Sequence, residues 1–547
     1  VSKRARRGRR VLRGRIAALN RAFVYFSHHS FDFRSSRPAM QDFEPRAYVE
    51  TVCRGIHRHL LRADAREVPL AGRRGPDLGG DLRVVWRQPD GGGWIRLAGW
   101  LVTKTLRRCT ERVTLDLPSF EAARAAIPAD VSWVLAPSHR SYLDFVLCSY
   151  LGFARPDLGF GLPRVAASAE FARIPLLGPV LDDLGAFYVR RGLGREDKEL
   201  SREVHQLVRE GHTLEFFIEG GRSRTRAFLP PRRGMLRCLQ ATGERVALLP
   251  VAISYDRVPE EAGFLCELAG AEKPPMRLRD LLGWTLRMLR GRVELGRVHI
   301  ACGRPVLLDL SRDVTEVSRE VMAELQRATV TTRFHLEAFL ARAGLEDVSV
   351  TQLERALRAR GGRVLRSPLR GRGTELPARL ETSFRQHFAH LYFEEARSML
   401  GEHPAVAAHL RRHAWASGEG VRSAPDDGLG PRLVRALFEP VCRDYARTAV
   451  ALGSPAEPLA VAEPRALVRR EPTIALEHAE GAFEDLLRRG VLARLEGSRR
   501  CVWGPRREEV GLWRTRYAWP EGALEPRPST PLPDRGRPPL AAQGAPS

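Results

Sequence analysis

The chain has little lysine, few and widely scattered cysteines, and no long apolar run. Only four of its 89 basic residues are lysine (Lys3, Lys104, Lys198, Lys273); the other 85 are arginine, an imbalance that points to coding bias and assigns no function by itself. The eight cysteines never approach closer than 28 residues in sequence, so no C-x-x-C pair or zinc-ribbon spacing exists. That scatter excludes a disulfide framework and fits reduced thiols. Nowhere do 18 uncharged apolar residues run together, and a spanning helix is not expected. The opening VSKRARRGRRVLRGRI carries eight basic residues and no acid, with no apolar stretch of signal-peptide length behind it, so a cytoplasmic location is expected.

What is present is a 547-residue chain with 43% apolar and 28% charged residues, a globular composition long enough for two to four domains. The formal charge of +24 will attract polyanions, whether nucleic acid, anionic lipid or a phosphorylated substrate. Glycines at Asp90–Trp94 (DGGGW) separate a basic, mostly helical region (1–95) from the rest of the chain. Between 96 and 305 the runs VSWVLAP (131–137), AFYV (186–189), TLEFFI (213–218), VALLPVAI (246–253) and VHIAC (298–302) read as buried strands. Helical periodicity lies between them, as in EDKELSREVHQLVREG, where Leu200, Val204, Leu207 and Val208 share a face and Gly211 stands at the C-terminal cap. This alternation predicts an α/β fold, a mostly parallel sheet flanked by helices. Residues 306–503 read as mainly helical, and 504–547, rich in Pro and Arg, as a disordered tail.

Four groups of residues could carry chemistry. Where VSWVLAP ends come Ser138-His139-Arg140-Ser141-Tyr142-Leu143-Asp144. A histidine just past a strand sits where open α/β sheets place ligands, and a carboxylate five residues on could fix its tautomer. Five residues along a helix is about 140° of rotation, so the two can meet only if His139 lies in the turn before the helix. The competing structural reading makes Ser141 an N-cap with Asp144 as its capping-box partner. The second group is GAFYVRR (185–191) and the third EGGRSRT (219–225), each a strand running into arginines whose forks match phosphate oxygens. The fourth, LPVAISYD (249–256), is a core strand with a polar end.

In this order the four groups resemble the motifs of the glycerophosphate acyltransferase family, in its bacterial membrane-associated glycerol-3-phosphate and dihydroxyacetone-phosphate acyltransferase branch, over about 130–275. The resemblance implies that His139 is a general base oriented by Asp144, and that the attacking hydroxyl needs no protein nucleophile. It implies that Arg190, Glu219, Gly220, Arg222, Ser223 and Arg224 bind the glycerol phosphate, and that Phe187, Tyr188 and Pro250 shape the acyl pocket or the structure around it. No cofactor is implied beyond an acyl-CoA or acyl-carrier-protein thioester as co-substrate. The expected acceptor is glycerol 3-phosphate, acylated at the sn-1 hydroxyl to lysophosphatidate, with dihydroxyacetone phosphate as the alternative. Tyr188 stands where the family more usually has Phe.

The segment MRLRDLLGWTLRMLRGR (276–292) puts Leu278, Leu281, Leu282, Leu286 and Leu289 on one helical face, with Trp284 and Met288 near it and Arg277, Arg287 and Arg290 largely off it. That pattern suits either a core helix or an in-plane helix on an anionic membrane, and a lipid product favours peripheral attachment to the cytoplasmic face of the cell membrane. A nucleic-acid-binding protein is the remote alternative. It lacks zinc-finger spacing, an aromatic RNP pattern and a basic zipper here, so no nucleic acid is expected as partner. His387 with His390, and His409 with His413, have helical spacing without a carboxylate or cysteine set, so no metal site is expected.

Overall fold

The computed structural model describes residues 67–71, 93–169, 185–189, 198–272, 283, 286–288, 290–291, 293–369, 388–416 and 428–520. All lie in one compact unit, Arg66–Ser547. Its main sheet comprises β1 (Glu67–Ala71), β2 (Thr110–Asp116), β3 (Ser132–Pro137), β4 (Arg164–Ser168), β5 (Phe187–Val189), β6 (Leu214–Glu215), β7 (Val246–Tyr255), β8 (Gly296–Cys302) and β9 (Val306–Leu308). The strand order is β1-β2-β8-β7-β3-β6-β4-β5, with β9 also on β7. Pairings from β7 through β3, β6 and β4 to β5 are all parallel, whereas β8 and β9 meet β7 antiparallel. The mostly parallel α/β sheet is therefore present, and all five strands read from the sequence belong to it. The sheet also reaches past the 96–305 span, with β1 before it and β9 after it.

Alternation along β3 builds two cores. Leu135 faces the cluster formed with α1 (Gly93–Cys109), α2 (Leu117–Ala126) and α3 (Leu143–Ala154). Val134 and Ala136 face the opposite cluster, with α4 (Lys198–Arg209), α5 (Gly234–Gln240) and α7 (Val314–Ala328), while α6 (Glu261–Leu268) follows β7. On α4, Leu200, Val204 and Val208 are buried as their spacing requires, and Gly211 adopts the left-handed conformation (φ +74°) that ends the segment.

Pro250 occupies a central strand because its missing N–H falls in a gap. On one side of β7, residues 246–248 pair with β9 and 251–255 with β8. Gly303, between those partners, donates to the Pro250 carbonyl at 2.9 Å, so the proline nitrogen also faces this break and no ladder bond is lost.

Helices dominate the later chain: α8 (Arg333–Leu340), α9 (Val350–Ala359), α10 (Phe393–Leu400), α11 (Pro404–His413), α12 (Leu429–Ala451), α13 (Pro464–Arg470), α14 (Leu476–Arg488) and α15 (Val510–Arg516). The tail expected from Gly504 is folded as far as residue 520. Trp513 on α15 and Tyr517 just after it, one turn apart, are buried, and Tyr517 packs edge-on against Tyr445 at 5.4 Å between centroids. Two buried aromatics outweigh the unfavourable composition around them. Residues 521–547, and most of the N-terminal region expected to be helical, lie outside the described residues.

Candidate active site

Parallel pairing brings the C-terminal ends of β3, β5, β6 and β7 to one edge of the sheet, the edge at which open α/β sheets bind ligands. His139 lies in the turn between β3 and α3, as the rotation argument demands. Its Nδ1–H donates to Asp144 Oδ2 at 3.1 Å, because a carboxylate can only accept. The same Oδ2 accepts the backbone N–H of Arg140 (2.6 Å) and of Ser141 (2.8 Å). Asp144 thus reaches back to Ser141 as a capping-box residue does and also holds the histidine; the two sequence readings describe one carboxylate.

Several neighbours of this pair carry no local signal in the sequence. Tyr255, at the end of β7, donates its hydroxyl to Asp144 Oδ1 at 2.6 Å. Phe217 stacks on the His139 ring with centroids 3.9 Å apart and planes at 18°. Glu260 accepts Ser141 Oγ–H at 2.8 Å and Tyr142 N–H at 2.7 Å, fixing the turn into α3. His139 Nε2, by contrast, has no hydrogen-bond partner among the described residues.

Glu219, expected to touch substrate, is wholly buried and its carboxylate is already engaged. It accepts His139 N–H (3.0 Å), Leu229 N–H (2.8 Å) and the Arg140 guanidinium (2.8 and 2.9 Å). Arg140 also lies 4.2 Å above the Phe228 ring. The arginines of the third motif are closer to open space. Arg222 lies 3.6 Å over the Tyr142 ring and 3.7 Å from Glu260, and Arg224 meets Glu267 at 2.5 Å. Between them Ser223 gives its N–H to the His139 carbonyl at 2.9 Å, while its buried Oγ has no partner among the described residues. Gly220 takes φ +63°, a turn that glycine makes without strain. His139, Asp144, Glu219, Gly220, Arg222, Ser223 and Arg224 therefore gather on one edge, whereas Arg190 lies outside the described residues. Phe187 is core, Tyr188 half-buried, and Pro250 part of the ladder.

Burial lowers the His139 pKa below its usual range, outweighing the hydrogen bond and charge of Asp144 that raise it. At neutral pH the ring is thus neutral, with its proton on Nδ1 and a free lone pair on Nε2. Burial, then the Asp144 charge, pushes the Tyr255 phenol well above its ordinary range, so it remains a donor. Glu215 on β6 is wholly buried with both oxygens unpartnered among the described residues, and desolvation raises its pKa well above that of an ordinary carboxyl. A neutral ring with an anchored Nδ1–H and an open Nε2 can take a proton from a hydroxyl, and guanidinium groups beside it can hold an anionic substrate.

Residues 122–254 match the family described as Acyltransferase. That span is similar to acyltransferase domains. A dihydroxyacetone phosphate acyltransferase of Bos taurus is 32% identical over 225 residues, which is 40% of this chain and 32% of the relative. A glycerol-3-phosphate acyltransferase of Xanthomonas campestris pv. campestris is 30% identical over 265 residues, 45% of this chain and 29% of the relative. The chain thus spans about a third of the length of the curated relatives it matches. Among solved structures, the 1-acyl-sn-glycerophosphate acyltransferase of Thermotoga maritima aligns over 44% of this chain and 86% of its own, at TM-score 0.26 and 20% identity. The matched span contains His139, Asp144 and the EGGRSRT loop, while Tyr255 and Glu260 fall just beyond it.

Proposed function

We propose that the chain is a glycerol-3-phosphate 1-O-acyltransferase that forms lysophosphatidate for phospholipid synthesis. His139 Nε2 takes the proton of the sn-1 hydroxyl as its oxygen attacks the thioester carbonyl. The imidazolium formed is stabilised by Asp144, the C–S bond breaks as the tetrahedral centre collapses, and the proton passes to the departing thiolate. Arg190, Arg222 and Arg224 hold the phosphate, the last two turning from Glu260 and Glu267 toward a doubly charged ligand. Glu219 acts one step back, tying the His139 backbone to Arg140. The observation that carries this reading is the anchored Nδ1–H of His139 with its unpaired Nε2.

Dihydroxyacetone phosphate is the second acceptor to try, because the relatives carry both names. The deciding experiment is an acyl-transfer assay of the purified chain with both acceptors and with CoA and carrier-protein thioesters. His139→Ala and Asp144→Ala should each lower kcat by about 10²–10⁴. Full activity in either variant overturns the mechanism.

Work at a membrane surface is part of the same proposal, at the cytoplasmic face and peripheral. Among the described residues no helix is long and apolar enough to cross a membrane. Leu97 (47% exposed) and Leu101 (38%) stand one turn apart on α1, ahead of the basic Lys104, Arg107 and Arg108. Within 276–292 the described residues divide: Leu286 is 44% exposed, with Arg287 and Arg290 exposed beside it, while Met288, expected near the same apolar face, is core. Co-sedimentation with anionic vesicles should weaken when Leu97 and Leu101 become Asp; unchanged binding removes α1 from the proposal.

A further inference from the structure

A cavity of about 480 Å³ opens where three distant segments meet: Arg233 after the EGGRSRT loop, Thr315, Ser318 and Arg319 on α7, and Arg411 and Trp415 at the end of α11. Three guanidinium groups line it and no carboxylate does. Among the described residues Arg319 is exposed and has no protein partner, and Arg233 holds only the Thr315 hydroxyl, at 2.8 Å. Arg411 shares Asp485 (3.2 Å) with Arg488 and Arg489, so three cations share one acid. Glu316 and Glu320 lie on the same helix outside the lining, and Glu320 is held by Arg312 at 2.8 Å.

The wall is built with care. The buried side chain of Gln326 donates to the His413 carbonyl (2.7 Å) and accepts the N–H groups of Trp415 (2.7 Å) and Ala416 (2.9 Å), pinning the turn that carries the indole. The Trp415 nitrogen is buried without a partner among the described residues, leaving the carbon frame of the ring to line the space. Pro231, also in the wall, follows Leu229 by two residues, and Leu229 N–H bonds the same Glu219 carboxylate that holds His139 N–H. At 3.8 Å per residue, the wall begins within about 8 Å of that carboxylate's partner.

Guanidinium forks recognise phosphate, an aromatic wall suits a planar base, and the volume falls within the range of small-molecule sites. We propose that this cavity binds the phosphorylated, base-bearing end of an adenine nucleotide, and that in acyl transfer the nucleotide is that of a CoA thioester. The second clause rests on the acyltransferase reading; the first does not. The acyl end would then lie toward His139 while the charged end is held at the junction of α7 and α11, a preference a carrier-protein donor, lacking the nucleotide, could not use.

The test is calorimetric titration of the full chain with adenosine 3′,5′-bisphosphate and with CoA, beside inorganic phosphate, for wild type, Arg319→Glu, Arg319→Ala and the exposed control Arg499→Glu. Both nucleotides should bind wild type and the control alike, and bind the two Arg319 variants at least about tenfold more weakly. Absence of bisphosphate binding in wild type, or equal binding by the Arg319 variants, overturns the site. In steady-state assays Arg319→Glu should raise KM for the CoA thioester by about tenfold and leave KM for the acceptor unchanged. Arg319-dependent nucleotide binding without that rise overturns the donor assignment and gives the cavity to a free nucleotide. Nucleotide binding with no acyl transfer from any donor sinks the enzymatic reading while leaving the cavity's ligand in place.

Discussion

Replacing Tyr255 by Phe separates the orientation of the His139–Asp144 pair from its chemistry. The phenol hydroxyl is the only donor to Asp144 Oδ1 among the described residues, at 2.6 Å, while His139, Arg140 and Ser141 all bond Oδ2. Tyr255 is 3% exposed and Asp144 0%, so water cannot replace the lost donor without moving protein. A hydrogen bond to a buried charged group contributes about 1.5–3 kcal/mol, and the variant should lose that much stability because the ring itself still fits. A carboxylate freed on one side keeps its bond to Nδ1 but fixes the orientation of the ring less firmly, so kcat should fall by about tenfold, equivalent to ~1.4 kcal/mol of transition-state stabilisation. KM for the acceptor should stay unchanged, since the hydroxyl is committed to Asp144 and not to the arginines proposed to hold the phosphate.

The pH profile supplies the sign. Burial lowers the His139 pKa, and Asp144 opposes that shift. With one fewer donor sharing its charge, Asp144 pulls harder on the imidazolium and raises the His139 pKa toward its ordinary value. The acid limb of log kcat/KM should therefore move to higher pH in Tyr255→Phe. An unmoved acid limb together with kcat within about twofold of wild type would refute a positioning role for this tyrosine.

Buried groups supply three further outcomes. Glu219→Gln leaves Arg140 without its counter-ion, both side chains being almost fully buried (5% and 0% exposed), and should cost about 3–5 kcal/mol in urea unfolding. Glu215 is buried without partners among the described residues and its pKa is raised, so the fold prefers its protonated form. That preference is fully present below the unfolded value near 4.5 and is lost as pH rises toward the raised one. Glu215→Gln should therefore gain thermal stability over wild type between pH 5 and 8, increasingly with pH; parallel stability curves would contradict this. Gly152→Ala drives a Cβ into the Gly161 carbonyl, a backbone group that cannot step aside, and should cost at least about 1–3 kcal/mol by chemical denaturation.

Strand existence is readable where an apolar β-branched or aromatic run is bounded by polar residues, as in β3, β7 and β8. β2 (TERVTLD) escapes such a reading because Glu111 and Arg112 interrupt it, and β4 (RVAAS) because alanine and serine carry little strand preference; only neighbouring strands make these segments part of a sheet. Composition misjudges the folded stretch from Gly504 to residue 520. Tyr517 packs against Tyr445, 72 residues earlier, and Arg489 lies over the Trp513 ring from 24 residues away, contacts that no local count of Pro and Arg can register.

Local constraints were legible in the chain without its fold. His139 had to sit in a turn for Asp144 to reach it, since helical geometry forbids contact at that spacing otherwise, and the order of four short motifs resembles that of glycerophosphate acyltransferases, which implies acyl transfer. The partners of each polar group came from long-range packing. Parallel pairing set Glu219 eighty residues along beneath His139 and made it a support, brought Tyr255 to the far oxygen of Asp144 from 111 residues away, and joined Arg233, Arg319 and Arg411 around one cavity. Burial then left the histidine neutral and its Nε2 open. Spacing constrains residues within one helix or turn. Contacts between strand ends depend on sheet order, and sheet order is fixed by the packing of the whole domain.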